Sequence, residues 1–162
     1  MDPTATGQAG QPISTSAPPP LGDLTDRADV EALLRRFYGQ VLVDDVLADA
    51  FEEILAKGLE SHLPVMCDFW ETVLFRAGLY RGSALQVHRM VHDRHPLAGE
   101  HFLRWLGVWT ATVDQMYRGP RAHQAKVQAT RIARAMHRRL NGMDDQALDA
   151  LLIMNASDSV GV

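Results

Sequence analysis

Apolar residues recur at helical spacing through almost the whole middle of the sequence. From Val30 to Val41 they fall at positions i, i+3, i+4, i+7 and i+11, and similar stripes run through 62–74, 102–116 and 125–136. This period places one side of each segment against a core, as in an amphipathic α-helix. No useful stretch of strand-type alternation interrupts the pattern. The sequence therefore predicts an all-α protein.

Composition divides the chain into three regions. Residues 1–23 are rich in Pro, Ala, Gly, Ser and Thr and poor in bulky apolar side chains, which predicts a disordered N-terminal tail. Residues 24–140 carry the helical stripes and are long enough for one domain with one core. Residues 141–162 contain a short apolar, helix-like piece and then a polar end. We expect this C-terminal extension to be frayed or loosely docked.

Charge and cysteine content limit the partners that we expect. The net charge of −4 gives no reason to expect a nucleic acid. No apolar run approaches the roughly 18 residues that cross a bilayer, so no membrane association is expected. The single cysteine, Cys67, cannot form an internal disulfide. These features are typical of a cytoplasmic protein.

Two histidines on predicted helices are the first candidates for a site. His62 shares its helical face with Phe69 and other large apolar side chains, and His88 points the same way as Leu85 three residues earlier. A neutral imidazole in apolar surroundings needs partners for its two nitrogens. A metal ion can take one nitrogen while a backbone carbonyl accepts the proton of the other. Each histidine alone is equally compatible with an ordinary hydrogen-bonded core residue.

Zinc binding and cysteine chemistry are alternative interpretations. His88 and His92 have the i, i+4 spacing of two zinc ligands on one helix, but no Glu lies between them in the His-Glu-x-x-His pattern. Cys67 has no second cysteine beside it. Cys67 and His62 are five residues apart, so on a helix they project in different directions and do not form a nucleophile–base pair. Both alternatives are weaker than a site built around the two histidines.

Aromatic residues, histidines and glycines occur between 30 and 136 in one order with consistent spacing. They are Phe37-Tyr38, Phe51, His62-Leu63, Phe69-Trp70, Gly78-x-Tyr80-x-Gly82, His88 and His101-Phe102-x-Arg104-Trp105-Leu106. Together they resemble the third group of truncated haemoglobins, the two-over-two globins of bacteria. The resemblance implies a truncated globin fold, in which a two-over-two helical sandwich surrounds a haem.

The resemblance also implies roles for individual residues. His88, six residues after Gly82, takes the place of the proximal ligand of the haem iron, and His92, one turn further along, is the alternative ligand. Phe51 and Phe69 take the places of residues that contact the haem. Before Phe51 the family commonly has Leu-Gly-Pro, whereas here the chain reads Leu-Ala-Asp-Ala at 47–50. The local path into the helix of His62 is therefore expected to differ from the family pattern.

On the distal side, the resemblance assigns ligand binding to Tyr38, His62 and Trp105. O–H and N–H donors in a dry pocket stabilise a bound O2 strongly and slow its release, which argues against bulk oxygen transport. The expected function is binding of O2 or another diatomic gas, NO or CO. Oxygen and nitric oxide chemistry or peroxidase-like oxidoreductase activity would draw electrons from an external reductase. Candidate partners of the haem propionates are Lys57, Arg81, Arg89 and Arg94.

A different class of function remains as an alternative. The helices could form a haem-free protein-interaction module in which an aromatic-lined groove binds a partner helix. Such a module predicts apolar stripes that stay exposed, whereas the stripes in this sequence look no wider than one core requires.

Overall fold

The computed structural model describes residues 19–80 and 82–142. Residues 1–18 of the predicted tail (1–23) and residues 143–162 of the predicted extension (141–162) lie outside these ranges. The helices are α1 (Arg27–Val41), α2 (Glu52–Lys57), α3 (Leu59–Phe75), α4 (Ala84–Arg94), α5 (Gly99–Met116) and α6 (Pro120–Asn141), with a 3-10 turn (Ala48–Phe51) before α2. The described ranges contain no β-strand. The all-α prediction is confirmed.

The four long helices form two stacked pairs. Helix α1 packs on α3, and α5 packs on α6. The two pairs meet because α1 also contacts α5 and α3 also contacts α6, while the shorter α4 contacts α6. This is the predicted two-over-two arrangement. None of the helices in the described ranges has the length and apolar run that crossing a bilayer requires.

Aromatic side chains fill the core where the two pairs cross. Trp70 and Trp109 stack with ring centroids 4.3 Å apart, and Trp105 lies parallel to Trp109 at 6.0 Å. Phe37 of α1 meets Trp109 edge-on at 5.1 Å. The Trp109 indole also donates a hydrogen bond to the Ala125 carbonyl of α6 at 3.2 Å, which satisfies its buried N–H. One aromatic stack therefore joins α1, α3, α5 and α6.

The segment before α1 is fastened to the start of α6. The Asp23 carboxylate accepts hydrogen bonds from the backbone N–H groups of Arg121 and Ala122, at 2.9 and 2.8 Å. A Cβ atom on Gly119, whose φ is 146°, would lie only 2.5 Å from Asp23 Cγ, so this close approach needs a glycine. The folded part of the chain thus includes the last residue of the predicted tail.

The path into α3 is built from short elements. The 3-10 turn and α2 follow each other directly, and Gly58 then separates α2 from α3 with a φ of 89°, in the region that favours glycine. The Gly58 N–H still bonds to the Ile54 carbonyl at 2.9 Å. This path places Phe51 at the end of the 3-10 turn and His62 in the first turn of α3.

Candidate functional site

A cavity of about 380 Å³ lies among the helices. This volume is within the roughly 300–1,000 Å³ that is usual for small-molecule and cofactor sites. The six side chains that the resemblance assigned to a site all line it: Tyr38, Phe51, His62, Phe69, His88 and Trp105. They come from α1, the 3-10 turn, α3, α4 and α5, so the fold gathers them from across the chain.

Tyr38 and His62 form a hydrogen-bonded pair in the wall of this cavity. The Tyr38 hydroxyl lies 3.1 Å from His62 Nε2. Burial raises the pKa of Tyr38, so its hydroxyl keeps its proton. Burial lowers the pKa of His62, so its imidazole is neutral at neutral pH. The pair therefore adds polar hydrogen-bonding groups to the cavity without adding a charge.

Packing against other aromatic rings fixes the orientation of Tyr38 and Trp105 in the cavity wall. The Tyr38 ring meets Phe37 edge-on at 5.3 Å and Phe51 at 6.1 Å. Phe37 also meets the Trp105 ring edge-on at 5.9 Å. The Trp105 side chain lines the same cavity. Because buried rings hold these side chains, their donors are positioned by the core itself.

His88 has the hydrogen bond that a metal-ligating histidine needs. Its Nδ1 lies 2.6 Å from the carbonyl oxygen of Ala84, one turn earlier in α4. A carbonyl can only accept, so in the neutral ring the proton is on Nδ1 and Nε2 has the lone pair. Metal-ligating histidines are usually oriented in this way, by a backbone carbonyl on the other nitrogen.

His92, the alternative ligand, is placed differently. It is not among the side chains that line the cavity. Its Nδ1 accepts a hydrogen bond from the backbone N–H of Leu97 at 2.9 Å, so in the neutral ring the proton is on Nε2. Although His88 and His92 are one turn apart on α4, their hydrogen-bond partners assign the proton to opposite nitrogens.

Charged groups lie at one side of the cavity. Lys57 and Glu53 of α2 both line it, with Lys57 Nζ 3.8 Å from a Glu53 carboxylate oxygen. Arg94 of α4 pairs with the same carboxylate. Of the four cations considered as propionate partners, Lys57 is thus in the cavity wall. Arg94 is next to that wall through its ion pair with Glu53. Arg89 does not line the cavity, and Arg81 lies outside the described residues.

Tyr80 lines the cavity but was not predicted to do so. Its ring meets Phe69 edge-on at 5.1 Å, and its backbone N–H bonds to Thr72 Oγ1 at 3.1 Å. A Cβ atom on Gly82 would lie 2.8 Å from the Tyr80 hydroxyl. Gly82, two residues after Tyr80, could have indicated this position from the sequence, because a glycine permits the close approach of the Tyr80 hydroxyl to the backbone.

The alternative metal and cysteine chemistries gain no support. Within 19–80 and 82–142 there is no group of three or more His, Cys, Asp or Glu side chains that could hold a metal ion. Cys67 is buried in α3, and burial raises the pKa of its thiol, which favours the unreactive protonated form.

Comparison with solved structures supports the fold. The chain is similar to the crystal structure of a group III truncated hemoglobin from Campylobacter jejuni, with a TM-score of 0.66 and 22% sequence identity. The similarity covers 74% of this chain and 94% of the other. No family model matches the sequence, and no curated protein matches it. The chain therefore has the truncated globin fold that its motifs predicted.

Proposed function

We propose that this protein binds one haem, with His88, through Nε2, as the residue that would hold the iron. The observation that carries the proposal is the 2.6 Å contact between His88 Nδ1 and the Ala84 carbonyl, which leaves Nε2 free to ligate. The residues present also fit the group. The cavity wall is mainly apolar and aromatic, as a flat macrocycle requires, and Lys57 in that wall can pair with a propionate.

The distal side of the proposed site binds a diatomic ligand. When bound, the haem iron supplies an open coordination position for O2, NO or CO. With a ligand in place, the Tyr38 hydroxyl and the Trp105 indole would donate hydrogen bonds to it. His62 Nε2–H, 3.1 Å away, would donate to the Tyr38 oxygen and so orient the hydroxyl. The surrounding wall is mainly apolar, so each of these hydrogen bonds has a larger effect than in solution.

The same donors suggest what the protein does with its ligand. A hydrogen bond to a charged acceptor contributes about 1.5–3 kcal/mol, so two donors slow release considerably. Slow release is unsuited to bulk oxygen transport. We therefore favour redox chemistry on O2 or NO, or peroxidase-like turnover, in a cytoplasmic protein that takes its electrons from an external reductase.

Haem titration of the purified full-length chain tests the proposal. We expect a Soret band that grows to one haem per chain. His88→Gly should abolish most of this band, and free imidazole should restore it by occupying the space of the lost ring. His92→Asn is the matched control one turn along α4, and it should keep the band.

Two outcomes would contradict this proposal. A wild-type protein that stays helical by circular dichroism but takes up no haemin would rule out haem binding and favour the haem-free interaction module. A band that survives His88→Gly but is lost in His92→Asn would assign the iron ligand to His92.

A further inference from the structure

We propose that His92 is a positioning residue, whose imidazole fixes Leu97 and thereby the cavity wall beside His88. The effect on haem rests on the proposed function, whereas the effect on Leu97 does not. His92 thus acts through the polypeptide backbone rather than on the iron.

Side chains from two helices hold the backbone of Leu97 on both sides. Its N–H donates to His92 Nδ1 of α4 at 2.9 Å, and its carbonyl accepts from Asn141 Nδ2 of α6 at 2.9 Å. Leu97 is only 7% exposed and lines the main cavity together with His88. Both residues also line a smaller adjoining cavity of about 70 Å³. A shift of Leu97 would therefore change the wall next to the proposed iron ligand.

The local sequence explains why the Leu97 N–H needs a side-chain acceptor. Pro96 has no N–H and disfavours helical backbone at the residue before it, and His95 is accordingly extended, with φ −129° and ψ 93°. Helix α4 ends there, so the buried N–H of Leu97 cannot join a helical ladder. The His92 side chain, five residues earlier, accepts the hydrogen bond of this N–H instead. Without that acceptor, the N–H would be buried without a partner.

Besides partly buried apolar side chains such as Val91, a few polar contacts hold the end of α4. No side chain of α4, which is described over its full length, is buried. Besides the His92–Leu97 bond, this end is held by a 2.8 Å contact between His95 Nε2 and the Glu52 carboxylate, and by the ion pair of Arg94 with Glu53. Loss of the His92 acceptor should loosen both Leu97 and the last turn of the helix that carries His88.

Three variants at position 92 distinguish the contribution of the hydrogen-bond acceptor from that of the ring volume. His92→Ala removes both, and His92→Phe keeps the ring volume without an acceptor. His92→Asn keeps an oxygen bonded to Cγ, close to where Nδ1 lies. His92→Phe serves in place of His92→Ala if the latter does not fold.

Amide hydrogen exchange of Leu97 in the full-length chain tests the contact without haem. We expect slow exchange in the wild type and in His92→Asn, and exchange about tenfold faster in His92→Ala and His92→Phe, the effect of one lost hydrogen bond. Equal exchange in all four proteins would overturn the proposal. This result stands whether or not the chain binds haem.

The rate of haem loss to an excess of a haem-scavenging apoprotein tests the consequence for the site. We expect loss about tenfold faster from His92→Ala and His92→Phe, and within about twofold of the wild type from His92→Asn. Equal haem loss from all variants, despite faster Leu97 exchange, would show that this bond does not position the wall. A wild type that binds no haem would refute the proposed function instead.

Discussion

The two walls of the cavity are built in different ways. The wall that carries Tyr38 is part of the core, since α1 buries six of its side chains, and the Tyr38 ring packs against Phe37. The second wall is formed by α4, which carries His88 and buries none of its side chains. Its apolar side chains Ala84, Leu85 and Val91 are only partly buried against the core, and polar contacts hold its ends. The hydrogen-bond donors are therefore fixed by the core, and the proposed ligand is on a lightly packed helix.

This difference predicts two kinds of failure. Substitutions that remove a packed ring or aliphatic side chain from the core wall should destabilise the whole protein, because these side chains are shared with the packing of four helices. Substitutions on α4 should leave a folded chain with altered haem binding, because local contacts alone are lost.

Trp109→Ala should cause the largest loss of stability. Trp109 is 1% exposed, stacks on Trp70 and Trp105, and donates to the Ala125 carbonyl. Removing a buried aromatic side chain of this kind typically costs about 3–5 kcal/mol, and urea unfolding measures it. Val87→Ala on α4 is the control. Val87 is 54% exposed, so its loss should change the free energy of unfolding by less than about 0.5 kcal/mol. Similar losses for both variants would refute the contrast between the walls.

Tyr38→Phe should change ligand kinetics more than folding. It removes the hydroxyl but keeps the buried ring. The lost hydrogen bond, about 1.5–3 kcal/mol, should speed O2 dissociation from the haem-loaded protein by roughly 10- to 150-fold. Stopped-flow measurement of the dissociation rate checks this. Tyr80→Phe, a change of the same size at another cavity-lining tyrosine, should leave the rate within about twofold. An unchanged rate in Tyr38→Phe would exclude Tyr38 as the distal donor.

The contrast between the walls also describes what the sequence could predict. The core wall follows from periodic apolar patterns, which place whole helices, and from the order of the aromatic motifs. The missed features depend on single side-chain contacts, which leave no periodic pattern in the sequence. The partner of Asp23 is the start of α6, almost a hundred positions away, and the proton position on His92 depends on the Leu97 N–H beyond a proline. Short elements such as α2, with six residues, hold too few turns for a period to be recognised.

Matched helix caps compare the two walls directly. Ser83 caps α4 by accepting from the Gln86 N–H at 3.3 Å, and Asp26 caps α1 by accepting from the Asp29 N–H at 3.0 Å. Replacing either by alanine removes about 1 kcal/mol of local helix stability. In Asp26→Ala the loss should lower the global free energy of unfolding. In Ser83→Ala it should mainly speed amide exchange within α4, because that helix can open alone. Global destabilisation by both would show that α4 unfolds together with the core.

The smallest expected effect is the pH dependence contributed by His62. Burial lowers its pKa from the ordinary 6.5, so the unfolded chain takes up a proton at a higher pH than the folded chain does. The free energy of unfolding should therefore be unaffected by His62 above about pH 6.5 and should fall as the pH drops from 6.5 towards the lower, folded-state pKa. Below that pKa this contribution is constant again. His62→Phe keeps an aromatic ring without the titrating group, and urea unfolding at several pH values should show a shallower slope in this window. An identical slope in the two proteins would mean that His62 is as easily protonated in the fold as in the unfolded chain. The Tyr38–His62 pair would then not be kept uncharged by its burial in the core wall.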